Sequence, residues 1–112
     1  MSKDKRISAE IVKLKSIYAD LSDNEKDLVD DLIRNAAFMT ITLQDLSATI
    51  NEKGVITEYQ NGANQWGTKQ SPEVEVYNKL IANYLKIIKQ LTDLIPQKQV
   101  SESDELLQFI KG

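Results

Sequence analysis

The side chains of this chain that could do chemistry are carboxylates, lysines, hydroxyls and amides, because cysteine and histidine are both absent. That absence removes thiolate nucleophiles, disulfides, imidazole bases and the commonest zinc ligands together. Asp30 and Asp31 are adjacent carboxylates, but neighbours on a helix point about 100° apart, so they belong to a solvated acidic face and not to a metal site. The one G-x-x-x-x-G stretch, Gly62 to Gly67, continues as Thr68-Lys69 in the wrong order for a phosphate loop and follows no apolar strand. Ser8, Ser22, Ser71 and Ser101 read as helix caps, since no histidine exists to activate a serine. These residues predict no enzyme, no metal and no cofactor.

Binding chemistry remains. The net charge of −3 is unevenly spread: residues 1–20 hold five basic and three acidic side chains, residues 21–54 three and seven, and residues 55–112 six and seven. A nucleic-acid-binding monomer would be more basic, because phosphate neutralisation dominates such affinity. Any contact with DNA must therefore be local or assembled from several copies. The candidates are Lys3, Lys5, Arg6, Lys13 and Lys15 near the N-terminus, and Lys69, Lys79, Lys86 and Lys89 further on. Asn61, Asn64, Gln65 and Gln70 could hydrogen-bond adenine edges, and Trp66 could stack on a base or pack on a partner subunit. Residues 9–20 followed by 23 onward suggest a helix-turn-helix, but Asp23, Glu25, Asp27, Asp30 and Asp31 at the start of its second helix would repel phosphate.

The elements that must carry these residues are helices. With 112 residues, one domain is expected. Ser8 as N-cap, with Glu10 in the first turn and Ile11, Val12, Leu14, Ile17, Tyr18 and Leu21 behind it, predicts a short helix over 9–20, preceded by a basic arm at 1–7. Ser22-Asp23-Asn24-Glu25 is a capping box that opens a long second helix closed by Gly54. Leu28, Leu32, Met39, Leu43, Leu46 and Ile50 form its stripe, widened by Val29, Ile33, Ala36 and Ala37, and the β-branched run Thr40-Ile41-Thr42 weakens the helix enough for a kink or break. Residues 55–71, rich in Gly, Asn and Gln, read as a connecting loop. Ser71 and Pro72 start a third helix that Pro96 ends.

On a helical wheel the third helix gathers Val76, Tyr77, Leu80, Ile81, Tyr84, Ile87, Ile88, Leu91, Leu94 and Ile95 on one broad half. That is wider than one neighbouring helix can cover. Beyond a polar linker, Leu106, Leu107, Phe109 and Ile110 form a last short amphipathic segment. The expected fold is all-α: three main helices, one long and central and one long and C-terminal, plus a short C-terminal helix. Residues 8–96 would be the working body and 97–112 a linker with a docking helix. No apolar run approaches the ~20 residues that cross a bilayer, and the charged N-terminus lacks the apolar core of a secretory signal.

The segment from Glu58 to Pro96, EYQNGANQWGTKQSPEVEVYNKLIANYLKIIKQLTDLIP, together with the preceding DLVDDLIRNAAFMTITLQDLSATINEKG, resembles the small terminase subunits of tailed bacteriophages. The likeness is to the P27-like family of phages and prophages of Gram-positive bacteria, and it covers about residues 8–96. It rests on a Gly-containing basic loop, a Ser-Pro helix start and a long helix ending at a proline. The resemblance implies a homo-oligomeric ring in the host cytoplasm that recognises double-stranded viral DNA and delivers it to the large terminase subunit, which holds the ATPase and nuclease. In that setting the nine cations named above would contact DNA. Leu43, Leu46, Ile50, Tyr77, Ile81, Tyr84, Ile88 and Leu91 would hold sister copies together, and Leu106, Leu107, Phe109 and Ile110 would dock on the large subunit. The rival expectation is a helical adaptor or regulator that self-associates and binds a protein partner.

Overall fold

The computed structural model of the chain describes residues 1–95. Three helices and one hairpin follow in order: α1 (Lys3–Ile17), α2 (Asp23–Lys53), β1 (Ile56–Gln60), β2 (Trp66–Gln70) and α3 (Pro72–Asp93). The chain is thus mostly helical but not all-α. Residues 55–71, expected as a loop, contain the two strands. The physical reason is the alternating, β-branched run Val55-Ile56-Thr57-Glu58-Tyr59, which suits a pleated strand better than a coil. The expected fourth helix, with Leu106, Leu107, Phe109 and Ile110, lies outside the described residues.

Helix α1 begins at Lys3, not after Ser8. Its cap is Ser2, whose hydroxyl accepts the Lys5 amide at 3.2 Å, with Asp4 in the first turn where the helix dipole favours a carboxylate. Ser8 sits inside the helix, and the residues expected as a basic arm are its first turn. That turn is held down by Arg6, which donates to Asp45 Oδ1 at 2.7 Å and to Gln44 Oε1 at 3.1 Å.

Helix α2 follows its sequence signals closely. The Ser22 hydroxyl accepts the Glu25 amide and the Glu25 carboxylate accepts the Ser22 amide, each at 3.2 Å. At the other end Gly54 takes φ 89°, a left-handed value that glycine adopts without penalty, and its amide donates to the Ile50 carbonyl at 2.7 Å. The Thr40-Ile41-Thr42 run does not break the helix. Thr40 instead returns its hydroxyl proton to the Ala36 carbonyl at 2.9 Å and lies 3.2 Å from the Tyr84 hydroxyl, which ties α2 to α3.

Both α1 and α3 run antiparallel to α2. Lys15 meets Asp30 while Arg6 meets Asp45, and Lys53 meets Glu73 while Thr40 meets Tyr84. The main core is where all three come together: Tyr18 from α1's end, Val29, Ile33 and Ala36 from α2, and Leu91 from α3, backed by Ile11, Leu14, Ile87 and Ile88. Ala36 and Ala37 are fully buried, and side chains that small let the helix axes approach closely. At 15, 31 and 22 residues, the helices span roughly 22, 46 and 33 Å at 1.5 Å per residue. Helix α1 therefore covers only half of α2, and beyond Asp45 the body thins, among the described residues, to two helices.

The hairpin pairs Ile56 with Gln70, Glu58 with Thr68 and Gln60 with Trp66 in antiparallel register. Its tip is closed by the Asn61 amide donating to the Gln65 carbonyl at 2.7 Å. Gly67 lies under the Tyr59 ring, where an added Cβ would come within 2.8 Å of ring carbon. The hairpin's base is tied by Ser71. This residue is the N-cap of α3 by position, yet its hydroxyl makes no capping bond. It is buried and donates to the Gly54 carbonyl at 3.0 Å, which leaves it to accept from Thr57 Oγ1 at 3.0 Å.

Candidate functional site

The nine cations singled out in the sequence do not form one patch. Five lie on α1, Lys69 is on the hairpin and three are on α3. Four are already engaged within the chain: Arg6 with Asp45 (2.7 Å), Lys15 with Asp30 (3.3 Å), Lys79 with Glu75 (3.4 Å) and Lys89 with Asp93 (3.1 Å). The pairs made by Lys79 and Lys89 are exposed contacts one helical turn apart, worth a few tenths of a kcal/mol and readily exchanged for a phosphate. Arg6 is different, because its two-pronged bond to α2 is part of how α1 is seated.

Lys3, Lys5, Lys13, Lys69 and Lys86 make no ion pair among the described residues. Two of them rest on aromatic faces: Lys3 Nζ is 5.0 Å from the Phe38 ring centre and Lys69 Nζ is 5.8 Å from that of Tyr59. In each contact the ammonium lies over the electron-rich face of the ring. Lys79, Lys86 and Lys89 share one face of α3, by the 100° rule, over a length of about 15 Å.

The acidic middle is chemically quiet. Asp30 receives Arg34 Nε at 2.8 Å and Lys15 Nζ at 3.3 Å. The hydrogen bond from Arg34, reinforced by that from Lys15, holds its carboxyl below the usual carboxylate range, and the same pairing raises the Arg34 guanidinium. A carboxylate held in this way is a poor base. It borders a cavity of about 330 Å³, lined also by Lys26, Asp27 and Tyr18, between α1's end and the start of α2. Glu73 is lowered too, by its own backbone amide at the start of α3 and then by Lys53. Among the described residues no three His, Cys, Asp or Glu side chains converge as a metal site would require, and no helix is long and apolar enough to cross a membrane.

The residues expected to hold sister copies together fall into two groups. Leu91 and Leu43 are buried within their own chain, at 3% and 7% exposure, and Tyr84 is tied to Thr40. Leu46, Ile50, Tyr77, Ile81 and Ile88 are half-buried. The apolar side chains left open to solvent are others: Val12 (70% exposed), Leu28 (76%), Val76 (51%), Leu85 (58%) and, on the hairpin, Ile56 and Trp66. A helical wheel of α3 does not separate Val76 from the covered residues of its face, because it gives the width of an apolar face but not which part of it a neighbour covers. Leu106, Leu107, Phe109 and Ile110 lie outside the described residues.

Two surfaces are not apparent from the sequence. One is the hairpin, whose strand residues are all exposed except the half-buried Gly67, with Tyr59, Asn61, Asn64, Gln65 and Trp66 surrounding a shallow hollow of about 460 Å³. The alternation of Ile56, Thr57, Glu58 and Tyr59 is the signal that points to it. The other is an open groove of about 500 Å³ between α2 and α3, lined by Leu43, Ser47, Ala48, Asn51, Tyr77 and Tyr84 among others. Its signal is the difference in expected helix lengths. No family model, curated protein or solved structure matches the chain.

Proposed function

We propose that the chain is a small terminase subunit of a tailed phage or prophage. It acts as a homo-oligomeric ring that recognises viral double-stranded DNA and hands it to the large subunit for packaging. The observation that carries this reading is the surplus of open apolar surface. Val12, Leu28, Val76, Leu85, Ile56 and Trp66 are each more than half exposed. Sister copies packed in a ring would cover this surface. The resemblance of residues 8–96 to the small-terminase pattern supplies the rest.

Assembly also resolves the charge balance. A protomer with net charge −3 binds a duplex poorly, but a few lysine contacts from each copy, repeated around a ring, add through avidity. Lys3, Lys5, Lys69, Lys79, Lys86 and Lys89 are the side chains assigned to phosphate, with Lys13, Lys15 and Arg6 beside them.

Titration of duplex DNA at several salt concentrations tests this. Changing Lys3, Lys5, Lys69, Lys79, Lys86 and Lys89 to glutamine should weaken binding and flatten the salt dependence by about 0.9 in log–log slope for each phosphate that is no longer neutralised. Arg6 is kept so that α1 stays seated. An affinity and slope unchanged by these substitutions would refute the DNA role. A stable dimer without DNA affinity, seen by native mass spectrometry, would instead favour a helical adaptor.

A further inference from the structure

We infer that the hairpin of one copy inserts into the α2–α3 groove of the next, with Trp66 as the anchor. The contact would be head-to-tail. It rests on the self-association proposed above and goes beyond it by naming the two surfaces that meet.

Among the described residues, no helix packs closely along the hairpin. Two strands alone are marginal in water, and here only the base is secured, through Ser71, Gly54 and Thr57. Trp66, the sole tryptophan, is 68% exposed near the tip, opposite Gln60. Exposing an indole of that size to water is costly unless something covers it.

The groove is open for a matching reason. Glu73 at the start of α3 is level with Lys53 at the end of α2, whereas α1 reaches only as far as Asp45 through Arg6. Among the described residues, the last turns of α2 therefore have α3 on one side and no third helix on the other. Ser47, Ala48, Asn51, Tyr77 and Tyr84 line the resulting hollow of about 500 Å³, which is ample for an indole and the amides around it.

Charge selects this pairing. In a chain of which 28% is charged, the groove lining contains no charged side chain, and residues 54–71 hold only Glu58 and Lys69, which cancel. Burying charge is the main penalty in closing polar surfaces together, so the two uncharged surfaces are the ones that can meet at least cost. Glu58 is one step nearer the base than Gln60 and Trp66 on the same face, where it stays at the solvated rim. The hydroxyls and amides of the groove match the amide-rich tip. The cavity beside Asp30, by contrast, is lined by Lys15, Lys26 and Asp27.

The chain's own hairpin does not fill its own groove. None of residues 54–71 lines the groove. The groove's occupant is therefore another molecule's hairpin. A contact between two different surfaces closes into a ring or continues as a filament.

Trp66 reports on its own burial. Emission recorded against protein concentration, in parallel with sedimentation, should shift to the blue as copies associate. The substitution Ala48→Arg, at an exposed position in the groove, should abolish the shift, leave helicity unchanged and weaken association about ten-fold or more, the effect of losing an aromatic anchor. Because the chain has no cysteine, Gln65→Cys and Asn51→Cys can be introduced in separate chains, and oxidation of their mixture should join unlike chains. Assembly in which Trp66 stays solvated and the disulfide does not form would overturn the inference while leaving the ring intact. A chain monomeric at high concentration would overturn both. A blue shift produced only by duplex DNA would reassign the hairpin to nucleic acid. Protection of the Asn51→Cys thiol in a monomer, abolished on deleting residues 97–112, would give the groove to the chain's own C-terminal segment.

Discussion

Tyr18 is the residue on which the three-helix end of the body turns, and Tyr18→Phe is the cleanest test of that claim. Its ring is 3% exposed in the core with Val29, Ile33 and Leu91, and its hydroxyl donates to the Leu91 carbonyl, joining the end of α1 to the end of α3. Phenylalanine keeps the ring and removes only this bond. The Leu91 carbonyl also accepts the Leu94 amide at 3.1 Å, so it is not orphaned when the hydroxyl goes. The cost is therefore that of a net hydrogen bond, about 1 kcal/mol, and not the larger penalty of an unsatisfied buried group. For a chain of this length that is roughly 4 °C in melting temperature. Burial also raises the Tyr18 hydroxyl above its ordinary pKa, so the fold favours the protonated form. The associated stability is whole below about pH 10, the unfolded value, and is lost as pH rises through that value towards the folded one. Urea melts at pH 7 and at pH 10.5 measure both effects. The wild type should exceed the variant by about 1 kcal/mol at pH 7, and the gap should narrow at the higher pH. Equal stability at pH 7, or a gap that does not change with pH, would show that the hydroxyl does not join α1 to α3.

Three further outcomes rest on other bonds of the same fold. Asp30, held low by Arg34 and Lys15, contributes stability that is present above about pH 4 and is lost as pH falls through its depressed folded value; Asp30→Asn should flatten the acid limb of the stability curve, and an unaltered limb would count against the pairing. Ser71→Ala removes the bonds to Gly54 and Thr57, at about 1 kcal/mol, and should speed amide exchange in residues 56–70 while α1 exchange stays as it was. Gly67→Ala sets a Cβ against the Tyr59 ring at 2.8 Å; it should destabilise the hairpin in the wild-type background and be nearly silent with Tyr59→Ala, a coupling that a double-mutant cycle reads directly.

How much of the fold is legible in the sequence depends on whether the signal is local. The capping box at Ser22 and Glu25, the stop at Gly54 and the Ser71-Pro72 start are written in adjacent residues, and α2 and α3 begin and end almost where those residues say. The start of α1 is ambiguous because two serines, Ser2 and Ser8, can each cap. The choice is made by Arg6 reaching Asp45, 39 residues away in sequence. The hairpin is masked by its amide-rich tip, which resembles a loop in composition although the flanking residues alternate as strands do. Ser71 stands where its sequence places it, but its hydroxyl does not cap the helix, since its partners Gly54 and Thr57 are brought near only by the hairpin. Among the candidate phosphate-binding cations, sequence alone does not reveal which are already committed to carboxylates.

The unequal helix lengths connect stability to assembly. The core made by Tyr18, Val29, Ile33, Ala36 and Leu91 occupies the end where three helices overlap, so the fold is held chiefly there. The opposite end, with the last turns of α2, the first turns of α3 and the hairpin, has fewer internal partners and more open apolar surface. In the proposed assembly a protomer built in this way would not need sister copies in order to fold, but would gain stability from them by mass action, as any folded chain does from a ligand that the unfolded chain does not bind. Protection from amide exchange at Tyr77, Tyr84 and the hairpin should therefore rise with protein concentration, while protection around Val29 and Ile33 should not. Uniform gains along the chain would mean that folding and association are a single event, and that the two ends do not have the separate roles their geometry gives them.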